Sequence, residues 1–156
     1  MRRKDSTRRL ICSKCDFVFY QNSKPTASAF IANKKTQILL VKRNIEPKYG
    51  YWDAPGGFLE EGEKPVKGVK REIKEELGVA IKIGRLIGIY MDWYLSGYNM
   101  STLNIIYEAK IVAGNMKPMS DVGELKWFDK KKIPWSKLAF KWMKPALKDW
   151  LKLYNE

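Results

Sequence analysis

The stretch GFLEEGEKPVKGVKREIKEELGV, residues 57–79 of a 156-residue chain, decides how the rest is read. It begins in a glycine turn at Gly56 and Gly57, and a loop runs to Lys64. Pro65 suits the first turn of a helix. Val66, Val69, Ile73 and Leu77 then recur at helical spacing, and Gly78 is placed to cap the C-terminus. At roughly 100° per residue these four form one stripe, and Glu72, Glu75 and Glu76 form a second one roughly 110° away. Carboxylates at i, i+3 and i+4 are neighbours on a helix and repel. All three lie in its second half, where the dipole also disfavours anions. Arg71 can pair with Glu75 one turn on, but one arginine does not balance three glutamates, whereas a divalent cation would. The competing reading is an exposed Glu/Lys-rich helix with ordinary i,i+4 pairs. Hard cations such as Mg²⁺ prefer carboxylate oxygens and are completed by substrate phosphates. Gly57 lets a backbone carbonyl come close to such a site. Glu63 can cap the free N–H groups of the helix or reach Arg71.

Charge outside this stretch has the opposite sign. The chain carries 30 Lys and Arg against 17 Asp and Glu, a net +13, with no histidine. Residues 57–79 hold six Glu against four Lys and one Arg, whereas residues 1–14 stand at +5 and residues 126–156 at +6. An acidic island in a basic protein points to a cation site, and the basic remainder attracts an anionic substrate. Histidine bases, nucleophiles and ligands are excluded. Two cysteines are too few for a disulfide framework, so a reducing, cytoplasmic setting is expected. The opening Met-Arg-Arg-Lys-Asp develops no apolar leader, and the longest uncharged run, Trp93–Tyr107, is too short and polar to span a membrane.

Residues 1–23 read as an irregular arm carrying a lone C-x-x-C, and residues 24–156 as one domain. Ala27–Ala32 and Gln37–Arg43 are predicted strands, as are Ala80–Trp93, Leu103–Val112 and Leu125–Phe128. A second helix is predicted over Lys137–Tyr154, with Leu147, Trp150, Leu151 and Tyr154 on one face. Pro145 either kinks it or starts its second half. Strands interleaved with two well-spaced helices indicate an α/β layer fold with a mixed sheet.

The spacing from Gly57 to Val79 resembles the signature of the Nudix hydrolases. Gly57, Glu63, Arg71, Glu72, Ile73, Glu75, Glu76, Gly78 and Val79 occupy every constrained position, a coincidence with a chance on the order of 10⁻⁹ per starting position. The lead-in Gly50, Trp52, Pro55, Gly56 is also similar. The resemblance implies an α/β/α sandwich with a mixed sheet. It implies hydrolysis of a nucleoside diphosphate derivative by water attacking phosphorus, with Glu-bound Mg²⁺ or Mn²⁺. By position, Glu72, Glu75, Glu76 and Gly57 look like the metal ligands, and Arg71 and Glu63 like the supporting pair. In such a family the base is either a box glutamate, raised in pKa by like charge, or an acid on a later loop. Here the later candidate is Glu124, with Asp121 as the alternative.

Cys12 and Cys15 are half a zinc knuckle, and zinc wants four Cys or His ligands. One chain therefore does not build the ordinary site. Residues 15–25 resemble the tail of the zinc ribbon in NADH-pyrophosphatase-like members, so a zinc-free remnant is expected, with a site shared across a homodimer as the alternative. The Ser-Gln-Pro-rich array of NADH-specific members is missing. Trp93, Tyr94 and Tyr98 can stack on a nucleobase or belong to core or lid. The expected partner is a small nucleotide diphosphate such as ADP-ribose, an NADH-like dinucleotide or a nucleotide sugar. The competing reading, resting on the +13 charge and basic arm, is a domain that binds nucleic acid or acts on an RNA end.

Overall fold

The computed structural model describes residues 2–4, 9–95 and 99–153. Tyr98 and Tyr154, named above, lie outside them. Three short strands come first: β1 (Arg2–Lys4), β2 (Arg9–Ile11) and β3 (Val18–Phe19). They pair antiparallel in that order, so the arm expected to be irregular is a small sheet. Its backbone closes around the cysteine turn, where Cys12 N–H donates to Phe17 O at 2.9 Å and Asp16 N–H to Cys12 O at 3.1 Å. Strands of two or three residues carry too little periodicity to be read in advance.

The main sheet follows. Its strands are β4 (Lys24–Ala32), β5 (Ile38–Arg43), β6 (Trp52–Asp53), β7 (Gly56–Phe58), β8 (Ala80–Leu95), β9 (Asn99–Ala113) and β10 (Val122–Phe128). Helix α1 (Pro65–Leu77) lies between β7 and β8, and α2 (Met143–Lys152) closes the chain. The strand order is β10-β5-β4-β9-β8, with β6 added to β5 and β7 to β4. Only β4 and β9 run parallel, which makes the sheet mixed.

Both faces are covered, which is why β4 and β5 read as unbroken apolar runs. Ala27, Ala29, Ile31, Leu39 and Val41 pack with Val69, Ile73 and Leu77 of α1. Phe30, Ile38 and Leu40 pack with Met143, Ala146, Leu147 and Trp150 of α2. The result is the expected α/β/α sandwich. Val66 departs from the predicted stripe and is exposed. The first turn of α1 is covered at Gly68 instead, where an added Cβ would stand 2.2 Å from Leu59 Cδ2. Gly78 ends the helix as predicted, at φ +71 with its N–H on Lys74 O.

The second helix is shorter than predicted. Residues Lys130–Lys132 and Trp135–Lys137 form 3₁₀ turns, and α2 starts only at Met143. Pro145 sits in its first turn, where its missing N–H costs nothing. The freed residues Phe140 and Trp142 wall a cleft. That cleft exists because β4 and β5 pair only at Ile31–Leu39 and Ala32–Ile38. Beyond those pairs they diverge, β7 takes over Thr26–Ser28 of β4, and β6 takes over Val41–Lys42 of β5. No helix among the described residues is long and apolar enough to cross a membrane.

Leu147 is fully buried in the layer away from the carboxylate helix. Leu147→Ala is expected to cost about 3 kcal/mol, read as a lower midpoint at unchanged slope in urea unfolding.

Candidate active site

Arg71 organises the acidic helix. Its Nε and Nη2 donate to the two carboxylate oxygens of Glu63, each at 2.9 Å, a bidentate fork from helix to loop. Nη1 reaches Glu72 at 2.8 Å and Glu75 at 3.4 Å, and Nη2 also donates to Phe58 O at 3.2 Å. Of the two roles open to Glu63, the structure has it pairing with Arg71, and α1 carries no side-chain cap. The Arg71 hydrogen bonds hold the Glu63 carboxyl down at about 2.

Glu76 is turned the other way. Its Oε2 accepts the Gly56 N–H at 2.9 Å. Its carboxyl is pushed up to about 8, first by burial and then by the nearby charges of Asp53, Glu72 and Asp121. Like charge was the cause expected from sequence; desolvation is the larger one. Burial likewise raises Glu72. The glycine turn is fitted tightly against these groups. A Cβ on Gly57 would lie 2.6 Å from the Glu72 carboxylate, and one on Gly56, at φ +138, would lie 2.3 Å from Ala27 O. Only glycines bring this backbone to the helix.

Glu72 and Glu76 line a cleft of about 290 Å³ together with Asp53, Glu60, Asp121 and Arg43. Five acids against one arginine give this lining a formal charge of −4. Asp53 is buried and pushed up to about 6 by desolvation, against the pull of Arg43. Arg43 donates from Nη1 to Asp53 at 3.1 Å and from Nε to Pro47 O at 2.7 Å. Its guanidinium lies over the Phe140 ring, and Tyr94 packs between Phe140 and Phe58 at centroid distances of 5.6 and 5.4 Å. Thr26 and Asn104 add a buried polar floor, linked by a 2.8 Å hydrogen bond.

The structure separates the remaining candidates. Glu75 stands outside the cleft lining with its side chain 55% exposed. Glu124 is not brought to the cleft. It lies opposite Lys42 in the β10–β5 ladder and pairs with it at 2.6 Å. Asp121 is the later-loop acid that lines the cleft. Of the stacking candidates, Trp93 and Tyr94 both line it. Asp53, Arg43, Phe140, Thr26 and Asn104 were not singled out from sequence. One available signal was the period-two polar pairs Thr26/Ser28 and Thr102/Asn104 within otherwise apolar strands.

Among the described residues no three acidic or cysteine side chains are gathered into a closed metal cage. Arg71 holds Glu72 and Glu75, and Glu76 commits an oxygen to Gly56. A Mg²⁺ site that keeps its waters and is completed by phosphate needs no such cage. The oxygen donors and the glycine cradle fit a hard cation. In the N-terminal sheet, the Lys14 and Cys15 backbone N–H groups pull the Cys12 thiol below its usual range. With two cysteines and no histidine, one chain still lacks two ligands for zinc.

Comparison with known proteins agrees with this geometry. The family model of the NUDIX domain matches residues 22–151. The ADP-ribose pyrophosphatase of Methanocaldococcus jannaschii is 36% identical over 127 residues, 80% of this chain and 72% of that protein. The NAD-capped RNA hydrolase NudC of Vibrio vulnificus is 28% identical over 79% of this chain, which spans only 45% of it. Among solved structures, a NUDIX hydrolase from Nitrosomonas europaea superposes with a TM-score of 0.76 at 32% identity, covering 90% of this chain and 76% of that one.

The raised Glu76 carboxyl sets a pH dependence. The folded state binds its proton more tightly than the unfolded chain, so stability is full below 4.5 and is lost as pH rises toward about 8. The metal-free protein is therefore expected to melt at a lower temperature at the upper end of that window. Glu76→Gln keeps an acceptor for Gly56 without the charge, and is expected to raise the upper-end melting temperature by roughly 5 °C. Identical melting curves for the two proteins across the window would sink this reading.

Proposed function

This chain belongs to the Nudix hydrolase family and is a Nudix-type pyrophosphohydrolase, and we propose that it cleaves the diphosphate of a nucleoside diphosphate derivative, ADP-ribose first. The observation that carries the reading is a cleft that gathers five carboxyl groups against one arginine inside a +13 protein. An anionic diphosphate enters such a cleft only in company with cations. Glu72, Glu76 and the Gly57 carbonyl would hold Mg²⁺ or Mn²⁺, with Glu75 recruited from Arg71. A bound divalent cation supplies charge neutralisation at the diphosphate and a more acidic water.

The protein's own groups do the rest. Glu63 and Arg71 fix the rotation of α1, so Glu72 and Glu76 face the glycine turn rather than solvent. Asp121 takes the proton of the attacking water as its oxygen bonds to phosphorus. The bridging P–O bond breaks, and a nucleoside monophosphate and a phosphorylated remainder leave. Arg43, stacked on Phe140, lies beside the aromatic wall and offers the cleft its cation. The M. jannaschii relative supports ADP-ribose as the first compound to try. The two free cysteines suit a reducing cytoplasm.

A panel of ADP-ribose, NADH and nucleotide sugars with Mg²⁺ or Mn²⁺ tests this. Metal-dependent turnover is expected, highest on ADP-ribose. Glu76→Gln should lower kcat by more than about 100-fold, and Arg71→Ala by about 10–100-fold. Asp121→Asn should lower kcat strongly while Glu124→Gln stays within about twofold. Turnover that survives chelation, or that Glu76→Gln leaves intact, would overturn the proposal.

A further inference from the structure

The cleft has a polar floor and an aromatic wall, and one side chain outside its lining holds the two together. Asp92 lies in β8 opposite Thr102 of β9. The Asp92 carbonyl accepts the Thr102 hydroxyl at 3.4 Å. Thr102 in turn accepts from Asn104 Nδ2 at 3.0 Å, and Asn104 Oδ1 accepts the Thr26 hydroxyl. The Asp92 backbone is thus tied to the floor. Its carboxylate is tied to the wall. Oδ2 accepts the Trp142 N–H at 2.9 Å, and Oδ1 accepts the Trp93 N–H at 2.7 Å. Both tryptophans line the cleft, and Asp92 does not.

Trp142 is the residue just before α2, and α2 has no side-chain cap of its own. Amides at a helix start lack backbone partners and carry the positive end of the helix dipole. Asp92 supplies both the acceptor and the charge from the sheet, 50 positions away. It therefore helps set where the 3₁₀ segment stops and α2 begins, and with that where Phe140 and Trp142 stand. Most rings of the wall are already engaged. Tyr94 packs between Phe58 and Phe140, Phe140 also carries the Arg43 guanidinium, and Trp142 stacks on Phe30. Trp93 has no ring or cation partner among the described residues and is 60% exposed. A free indole face beside a cleft suits a flat heterocycle. The one open ring and the buried tryptophan behind the wall thus hang on the same carboxylate.

We propose that Asp92 is a positioning residue: through Trp93 and Trp142 it sets how the cleft holds the nucleobase end of its substrate, and it leaves the bond-breaking step alone. This role rests on the cleft being the hydrolytic site proposed above. Two backbone amides need two acceptor oxygens, and an asparagine has one. Asp92→Asn therefore keeps the shape of the side chain and gives up one of the two bonds.

Steady-state kinetics with Mg²⁺ compare the wild type, Asp92→Asn, Trp93→Ala and the double variant, well below their melting temperatures. The substrates are ADP-ribose and its abasic analogue, in which a hydroxyl replaces the adenine. Calorimetric titration of the same four proteins with AMP reads binding without turnover. Asp92→Asn and Trp93→Ala are each expected to raise KM for ADP-ribose and Kd for AMP about tenfold. Turnover number, and kcat/KM on the abasic analogue, should stay within about twofold of the wild type. The double variant should fall well short of the product of the two single effects, because the two residues act on one wall. Equal losses on both substrates, a fall in kcat at unchanged KM, or a full product of effects in the double variant would overturn the role of Asp92. The expected AMP pattern without hydrolysis of ADP-ribose would leave that role standing and fell the hydrolytic reading of the cleft. Hydrolysis of ADP-ribose that Asp92→Asn leaves unchanged would do the reverse.

Discussion

The fork between Arg71 and Glu63 is the constraint on which the site depends. A helix with three carboxylates in its last two turns has no intrinsic reason to keep them together. Among the described residues, Arg71 is the cation that reaches Glu63, Glu72 and Glu75 at once. Its two parallel bonds to Glu63 tie the helix rotation to the loop after the glycine turn, and its bond to Phe58 O ties it to β7. The planar guanidinium is essential here, because a lysine ammonium could not hold both oxygens of Glu63 and still reach Glu72. With rotation fixed, Glu76 faces the Gly56 amide, and Ile73 and Leu77 face the sheet.

Once so oriented, Glu76 sits among acids. Desolvation and the charges of Asp53, Glu72 and Asp121 act in one direction, and only the Gly56 amide resists them. The fold tolerates this because the tension is local and a cation would relieve it. Asp53 shows the contrasting solution within the same cleft, where a buried carboxylate is matched by Arg43 inside the protein. One acid is internally paired and the other is left for something from outside. This asymmetry distinguishes a ligand-ready carboxylate from a structural one.

Legibility in the sequence followed the range of the interactions. Helix α1, its start at Pro65, its stop at Gly78 and its three carboxylates are local facts, set by a 3.6-residue period and by glycine's freedom at positive φ. So were the places of β4 and β5 along the chain. The pairing of Arg71 with Glu63 spans eight residues and was within reach as one of two options. The aromatic wall and the Thr26–Asn104 floor were beyond reach. The floor joins residues 78 positions apart through the parallel β4–β9 register, and the wall gathers Phe58, Tyr94 and Phe140 from three separate segments, which no local pattern encodes. Glu124 drew attention by its place before an aromatic strand. A register shift between Val122 and Glu124 then sets Glu124 opposite Lys42, while Asp121, at the strand's entrance, lines the cleft. The second helix was drawn too long because its lysines and apolar residues keep a helical rhythm through 137–142. That rhythm was overridden by 3₁₀ turns, which place Phe140 and Trp142 on the cleft.

The distribution of charge follows from these placements. A protein of net +13 attracts polyanions over its whole surface, yet the cleft that would process them is locally negative. The two fields compete over distances near the Debye length, about 8 Å at physiological salt. An anion approaching from afar responds to the basic surface; close to the cleft it meets repulsion, and only a cation-laden diphosphate gains by going further. Discrimination between a phosphate chain that rests on the surface and a diphosphate that reacts is thus built into the electrostatics before any contact with a base or sugar.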